Sequence, residues 1–136
     1  MVQATSSLED EYWSGLKQGL LKLPRCGGCN RWQWPAPARC GECGHWGSTW
    51  HDLPMSGRVF SWTRTWHPFD GLESLSKPFV SLIVEIDGTD GVRLMGLLDG
   101  DDDGENIGIG SAVTGTAGST EYADEDIPVI VWQLAN

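Results

Sequence analysis

Two Cys-x-x-Cys pairs ten residues apart, an apolar stripe at four-residue spacing before them and five short alternating segments after them predict a mainly β protein. The order is an N-terminal helical segment over residues 1–21, a rubredoxin-like metal ribbon over 22–56, and a five-stranded barrel over 57–136. The barrel is expected to be of the oligonucleotide/oligosaccharide-binding (OB) type. A chain of 136 residues, 40% apolar, is long enough for one such barrel and a small satellite. No apolar run approaches the ~20 residues that span a bilayer, and residues 1–7 lack the basic and apolar regions of a secretory signal. A cytoplasmic protein with no membrane partner is expected.

The helix rests on Leu8, Tyr12, Leu16 and Leu20, which recur every fourth residue and are widened by Trp13. Ser6 or Ser7, with Glu9 or Asp10 three positions on, supplies a capping box. A helix over residues 8–21 follows. Gly15 and Gly19 would each weaken it by about 1 kcal/mol relative to Ala, so it needs a surface to lie on.

Residues 22–56 are rich in Cys, Gly, Pro and Trp, without sustained periodicity, and such a stretch needs a staple. Cys26-Gly-Gly-Cys29 and Cys40-Gly-Glu-Cys43 use every cysteine in the chain. In each turn both thiolates project to one side, and two turns bring four sulfurs to one ion. Zinc is the expected metal, with iron the alternative for a site of four cysteines. Four protein thiolates close the coordination sphere, so the site is structural and no catalytic residue is assigned. No internal repeat is expected.

From residue 57 the pattern is β. Residues 57–66 alternate, with Phe60, Trp62 and Trp66 on one face and Val59, Ser61, Thr63 and Thr65 on the other. Residues 79–86 place Val80, Leu82, Val84 and Ile86 together. Residues 92–98, 111–116 and 128–134 complete the set. Five short strands with one long connection fit a Greek-key barrel that manages its edges by closure, with an open sandwich fragment as the main competitor.

The net charge of −10 is uneven. Residues 1–56 hold five cations and five acids, whereas residues 57–136 hold four and fourteen. Duplex DNA is disfavoured, and a single-strand binder stacking bases on Trp62 and Trp66 would meet a repulsive barrel. The ribbon sets Arg25, Arg31 and Arg39 beside Trp32 and Trp34, a surface suited to a phosphate-bearing ligand or a protein partner. Asp99-Gly-Asp-Asp-Asp-Gly104 begins like a calcium loop, but the twelfth position is Gly110, so a solvated loop is expected. His45 is set aside as a surplus ligand, and His67 as a residue that packs or meets solvent. No nucleophile is visibly paired with a histidine.

Taken in order, Tyr12-Trp13-Ser-Gly-Leu-Lys-Gln-Gly19, the two cysteine pairs, Trp34-Pro-Ala-Pro37, Gly57-Arg-Val-Phe-Ser-Trp-Thr63, His67-Pro-Phe69, Pro78-Phe79 and Ile127-Pro128-Val129 resemble the zinc-ribbon/OB-fold family long labelled domain of unknown function 35. The resemblance covers residues 8–134. One departure is Pro35-Ala-Pro37-Ala-Arg39, where the family often has Pro-Pro-Arg. The resemblance implies a small, non-catalytic companion of a thiolase-fold, lipid-transfer-protein-like subunit in a heteromeric acyl-CoA complex. Among such settings it implies a steroid or bile-acid side-chain aldolase cleaving a hydroxyacyl-CoA. A bridging or CoA-channel subunit of another thiolase, synthase or acyltransferase complex is the alternative. Contact with partner or CoA would then fall to Tyr12, Trp13, Arg25, Arg31, Trp32, Trp34 and Arg39.

Overall fold

The computed structural model describes residues 8–66, 79–99, 106–122 and 125–135. They form two compact units, 1–54 and 55–136.

In the first unit, helix α1 (Asp10–Lys17) is shorter than the sequence predicts. The cause is Gly19, whose φ of +81° is left-handed. The Leu20 amide returns to the Gly15 carbonyl at 2.8 Å and the Gly19 amide to that of Leu16 at 3.0 Å. This is a Schellman stop, and it leaves Leu20 outside the helix. Gly15 has a second purpose. A Cβ there would meet the Leu20 carbonyl at 3.1 Å and the Lys22 side chain at 3.0 Å, so glycine lets α1 approach the chain that follows. Tyr12 and Leu16 are buried, while Leu8 and Leu20 at the ends of the expected stripe are exposed. The helix also starts later than expected: its N-cap is Glu9, so the capping box expected from Ser6 or Ser7, which themselves lie outside the described residues, does not start it.

Strands β1 (Leu21–Cys26) and β2 (Ser48–Leu53) pair antiparallel from Leu21↔Leu53 to Cys26↔Ser48. The sequence reading did not anticipate them, because β1 is short, contains Pro24, and buries Leu21, Leu23, Pro24 and Cys26 without period-two alternation. This hairpin is the frame on which the cysteine turns hang.

In the second unit β3 (Ser56–Thr65), β4 (Phe79–Ile86), β5 (Arg93–Leu98), β6 (Ala112–Tyr122) and β7 (Glu125–Leu134) close a barrel in the order β3-β4-β5-β7-β6. The five expected strands are present, with β6 and β7 extended at their shared hairpin. β5 and β7 pair parallel, and β6 returns to β3 to close the ring. Val59, Val80, Leu82, Val84, Leu94, Val113 and Ile130 fill it around Trp132, which is 0% exposed. The indole fits only because Gly96 and Gly115 lack side chains; a Cβ at Gly115 would stand 2.9 Å from its ring. The alternation predicted for β3 is wrong at one step. A bulge between Val59 and Ser61 resets the register, so Val59 points inward and Phe60 is 42% exposed. Trp62 then sits opposite buried Leu82 and is half-buried, not fellow to an outward Phe60.

Candidate metal centre

The end of β1 delivers Cys26 into a tight turn. The Asn30 amide bonds back to the Cys26 carbonyl, and the Cys26 amide donates to the Arg31 carbonyl at 2.9 Å. The second turn repeats this bonding: Gly44 amide to Cys40 carbonyl, and Cys40 amide to His45 carbonyl at 2.9 Å. Each turn leaves through a left-handed residue, Asn30 (φ 63°) in the first and Gly44 (φ 78°) in the second. Two knuckles of one shape therefore face each other.

Their sulfurs converge. Cys26 Sγ lies 3.5 Å from Cys43 Sγ, and Cys29 Sγ lies 3.8 Å from Cys40 Sγ, with all four within 4.8 Å of one another. Four sulfurs around a tetrahedral ion at 2.3 Å would stand about 3.8 Å apart, so the cluster fits such an ion. Backbone amides prepare it. Those of Cys43 and Glu42 point at Cys40 Sγ at 3.5 and 3.4 Å and bring its pKa down to about 6. The Cys29 and Gly28 amides do the same for Cys26, whose thiol is held below its ordinary value. Cys43 moves the other way, to about 11. Although the His45 amide favours its thiolate, the neighbouring thiols and desolvation outweigh it. Four convergent sulfurs, two of them receiving backbone amides, make a donor set that suits a cation. Cys26, Cys29, Cys40 and Cys43 would hold the metal, and its chemistry there is to fold the loop between β1 and β2.

The sequence reading missed that the knuckles belong to a repeat. Arg25-Cys-Gly-Gly-Cys-Asn-Arg-Trp32 returns as Arg39-Cys-Gly-Glu-Cys-Gly-His-Trp46. Aligning the flanks of the two cysteine pairs would have found it. The copies also reach across to each other. Arg31 of the first meets Glu42 of the second at 3.3 Å, while His45 of the second lies over the first, where a Cβ on Gly28 would meet it at 2.9 Å. His45 is thus a packing residue against Gly27 and Gly28, not a ligand of the cluster.

The remaining candidates are divided. Tyr12 is 6% exposed and its ring meets that of Trp34 at 4.4 Å. Burial, assisted by the charge of Glu9, pushes its phenol up to about 12. Trp13 stands edge-on to Tyr12 at 5.1 Å and is half-buried. Trp32 is half-buried between the Arg25 guanidinium and His51, and Arg31 and Arg39 are exposed. His67 and the loop centred on Asp101 to Asp103 lie outside the described residues. On the barrel, an open polar cleft of about 500 Å³ is lined by Arg58, Glu85, Asp87, Asp90 and Arg93. Both of its arginines are engaged, Arg58 with the Gly110 carbonyl and Arg93 with Glu85 and the Phe60 ring.

Two family models match the chain. The ChsH2 rubredoxin-like zinc ribbon domain matches residues 13–46, and the ChsH2 C-terminal OB-fold domain matches residues 50–117. Among solved structures, a chain of the Ltp2-ChsH2(DUF35) aldolase is 24% identical, with a TM-score of 0.81 over 98% of each chain. A DUF35-family protein of unknown function from Sulfolobus solfataricus is 18% identical, with a TM-score of 0.62 over 98% of this chain and 89% of the other. No curated protein matches.

Proposed function

The chain belongs to the ChsH2 family, and from that premise we propose that it is the non-catalytic small subunit of a heteromeric aldolase. Its partner is a thiolase-fold, lipid-transfer-protein-like subunit that carries the catalytic residues and cleaves a hydroxyacyl-CoA by a retro-aldol step. The acyl group of this reading is a steroid or bile-acid side chain. One observation carries it: the chain matches, end to end, a chain of a solved structure named an Ltp2-ChsH2 aldolase. The metal of this reading is zinc, held by Cys26, Cys29, Cys40 and Cys43 as a structural ion with iron as alternative. A thiolate cluster of this kind suits the reducing cytoplasm.

The ribbon supports the partner role. Trp13, Trp32 and Trp34 are half-buried in the same unit as exposed Arg31 and Arg39, with the Arg25 guanidinium over the Trp32 ring, and Trp and Arg are the residue types that most often anchor interfaces. In this reading those six side chains meet the catalytic subunit or the CoA at its edge, and Tyr12 backs Trp34 from beneath.

The test is co-expression with the thiolase-fold protein of the same host. Co-purification is expected, with retro-aldol turnover of a hydroxyacyl-CoA in the complex and none in either chain alone. Trp34→Ala should weaken assembly by about 1–3 kcal/mol with metal content intact. Full turnover by this chain alone, or no association with any thiolase-fold protein, would sink the proposal. Association without aldol cleavage favours the alternative, a bridging or CoA-channel subunit of another acyl-CoA enzyme.

A further inference from the structure

The two copies of the knuckle share more than their cysteines. In each, the arginine immediately before the first cysteine turns back over its own knuckle. Arg25 Nε donates to the carbonyl of Asn30 at 2.9 Å, and Arg39 Nε donates to the carbonyl of Gly44 at 2.8 Å. Asn30 and Gly44 are the left-handed residues that immediately follow the second cysteine of each pair. Each guanidinium therefore joins the residue before one thiolate to the residue after the other. It then lies on the tryptophan that closes the same repeat, with Arg25 4.7 Å from the Trp32 ring and Arg39 5.5 Å from the Trp46 ring. Isolated β-bridges pair the same residues through their backbones, Arg25 with Trp32 and Arg39 with Trp46. In the second copy Gly44 leaves room for this, since a Cβ there would stand 3.0 Å from an Arg39 terminal nitrogen.

We propose that Arg25 with Trp32, and Arg39 with Trp46, are matched clamps that hold the two knuckles closed around the metal. Both arginines are positioning residues for the metal site, a role that goes beyond any contact they make with a partner. The physical need is specific. A knuckle is a tight reversal ending in a left-handed residue, so the outgoing carbonyl sits where neither β1 nor β2 can bond it. A planar guanidinium bonds that carbonyl through Nε and presents its face to the indole in one geometry, which the point charge of lysine cannot reproduce. Trp46 is 68% exposed, and its inner face serves as the rest for Arg39.

The test measures zinc release from the full-length loaded chain into excess chromogenic chelator, alongside the visible spectrum of the cobalt(II)-loaded chain. Arg25→Gln and Arg39→Gln should each release zinc about 10–100-fold faster, as loss of supporting contacts around a metal site does elsewhere. Arg39→Lys should do no better than Arg39→Gln. Trp46→Leu keeps the hydrogen bond and loses the ring face, so it should fall between wild type and Arg39→Gln. The cobalt–thiolate bands should shift in the glutamine variants. Arg58→Gln, which deletes an exposed arginine-to-carbonyl bond in the barrel, should release zinc at the wild-type rate. Release within twofold of wild type in both glutamine variants, or full rescue by Arg39→Lys, overturns the proposal. If Arg39→Gln takes up no metal, Trp46→Leu decides: faster release supports the clamp, and wild-type release overturns it.

Discussion

Tyr12 shows how one side chain links burial to pH. Its ring is enclosed by the first unit and meets Trp13 and Trp34, and burial raises the phenol to about 12. The raised value means the folded state favours the neutral phenol. Its contribution is complete below pH 10, the unfolded value, and is lost as pH climbs toward 12. Alkaline titration followed by phenolate absorbance should find this tyrosine ionising well above pH 10, with the first unit losing stability over the same window. Tyr12→Phe should flatten that dependence; an unchanged alkaline profile would contradict the enclosure. The four cysteines are the other decisive residues at this scale. Cys40→Ser leaves three thiolates, and structural zinc sites of this class are worth about 10–16 kcal/mol at neutral pH. The variant should lose its metal and the ordered segment between β1 and β2, while the barrel keeps its β circular dichroism. Elemental analysis finding neither zinc nor iron in fresh wild-type protein would contradict the site itself.

At the scale of the element, α1 reverses a propensity argument. Within a helix, Gly→Ala is stabilising, and the sequence places Gly19 inside one. The structure puts it just beyond the end at φ +81°, where alanine is strained. Gly19→Ala should therefore destabilise the first unit by about 1–2 kcal/mol, measured by chemical denaturation of the metal-loaded chain. A gain in stability would mean the helix runs on to residue 21. The bulge in β3 teaches the same lesson in a strand. Val59, Phe60, Ser61 and Trp62 alternate well enough on paper, yet the register against β4 skips Phe60. Only the packing of Val59 against the barrel interior decides which of two adjacent apolar residues turns outward.

For the molecule as a whole, charge separates the readings. The barrel half carries four cations and fourteen acids, and a phosphate backbone gains little on such a surface. Trp66 is exposed with the Arg64 guanidinium over its ring, while Trp62 is half-buried, so no pair of open indoles stands ready for bases among the described barrel residues. No complex with single-stranded oligonucleotides at micromolar concentration is expected near physiological salt. A tight, salt-sensitive complex weakened by Trp66→Ala would return the nucleic-acid reading to first place.

Legible in the sequence alone were the order of helix, ribbon and barrel and the four cysteines that converge into one cluster. Paired cysteines at fixed spacing have few chemical uses, and period-two alternation in residues 79–86 reads directly as β4, whose bounds match. The five barrel strands were legible for the same reason, since each buries one face. The hairpin of β1 and β2 was not, because its strands are short, one carries Pro24, and neither keeps period-two burial along its length. The helix end, the bulge and the inward face of Trp132 between Gly96 and Gly115 were likewise decided in three dimensions. Each depends on how closely another piece of chain approaches, and local sequence holds no measure of that distance. The repeated Arg-Cys-Gly-x-Cys-x-x-Trp lies between the two cases. It was written in the sequence, but its meaning, a guanidinium bonded across each knuckle and resting on an indole, belongs to the fold.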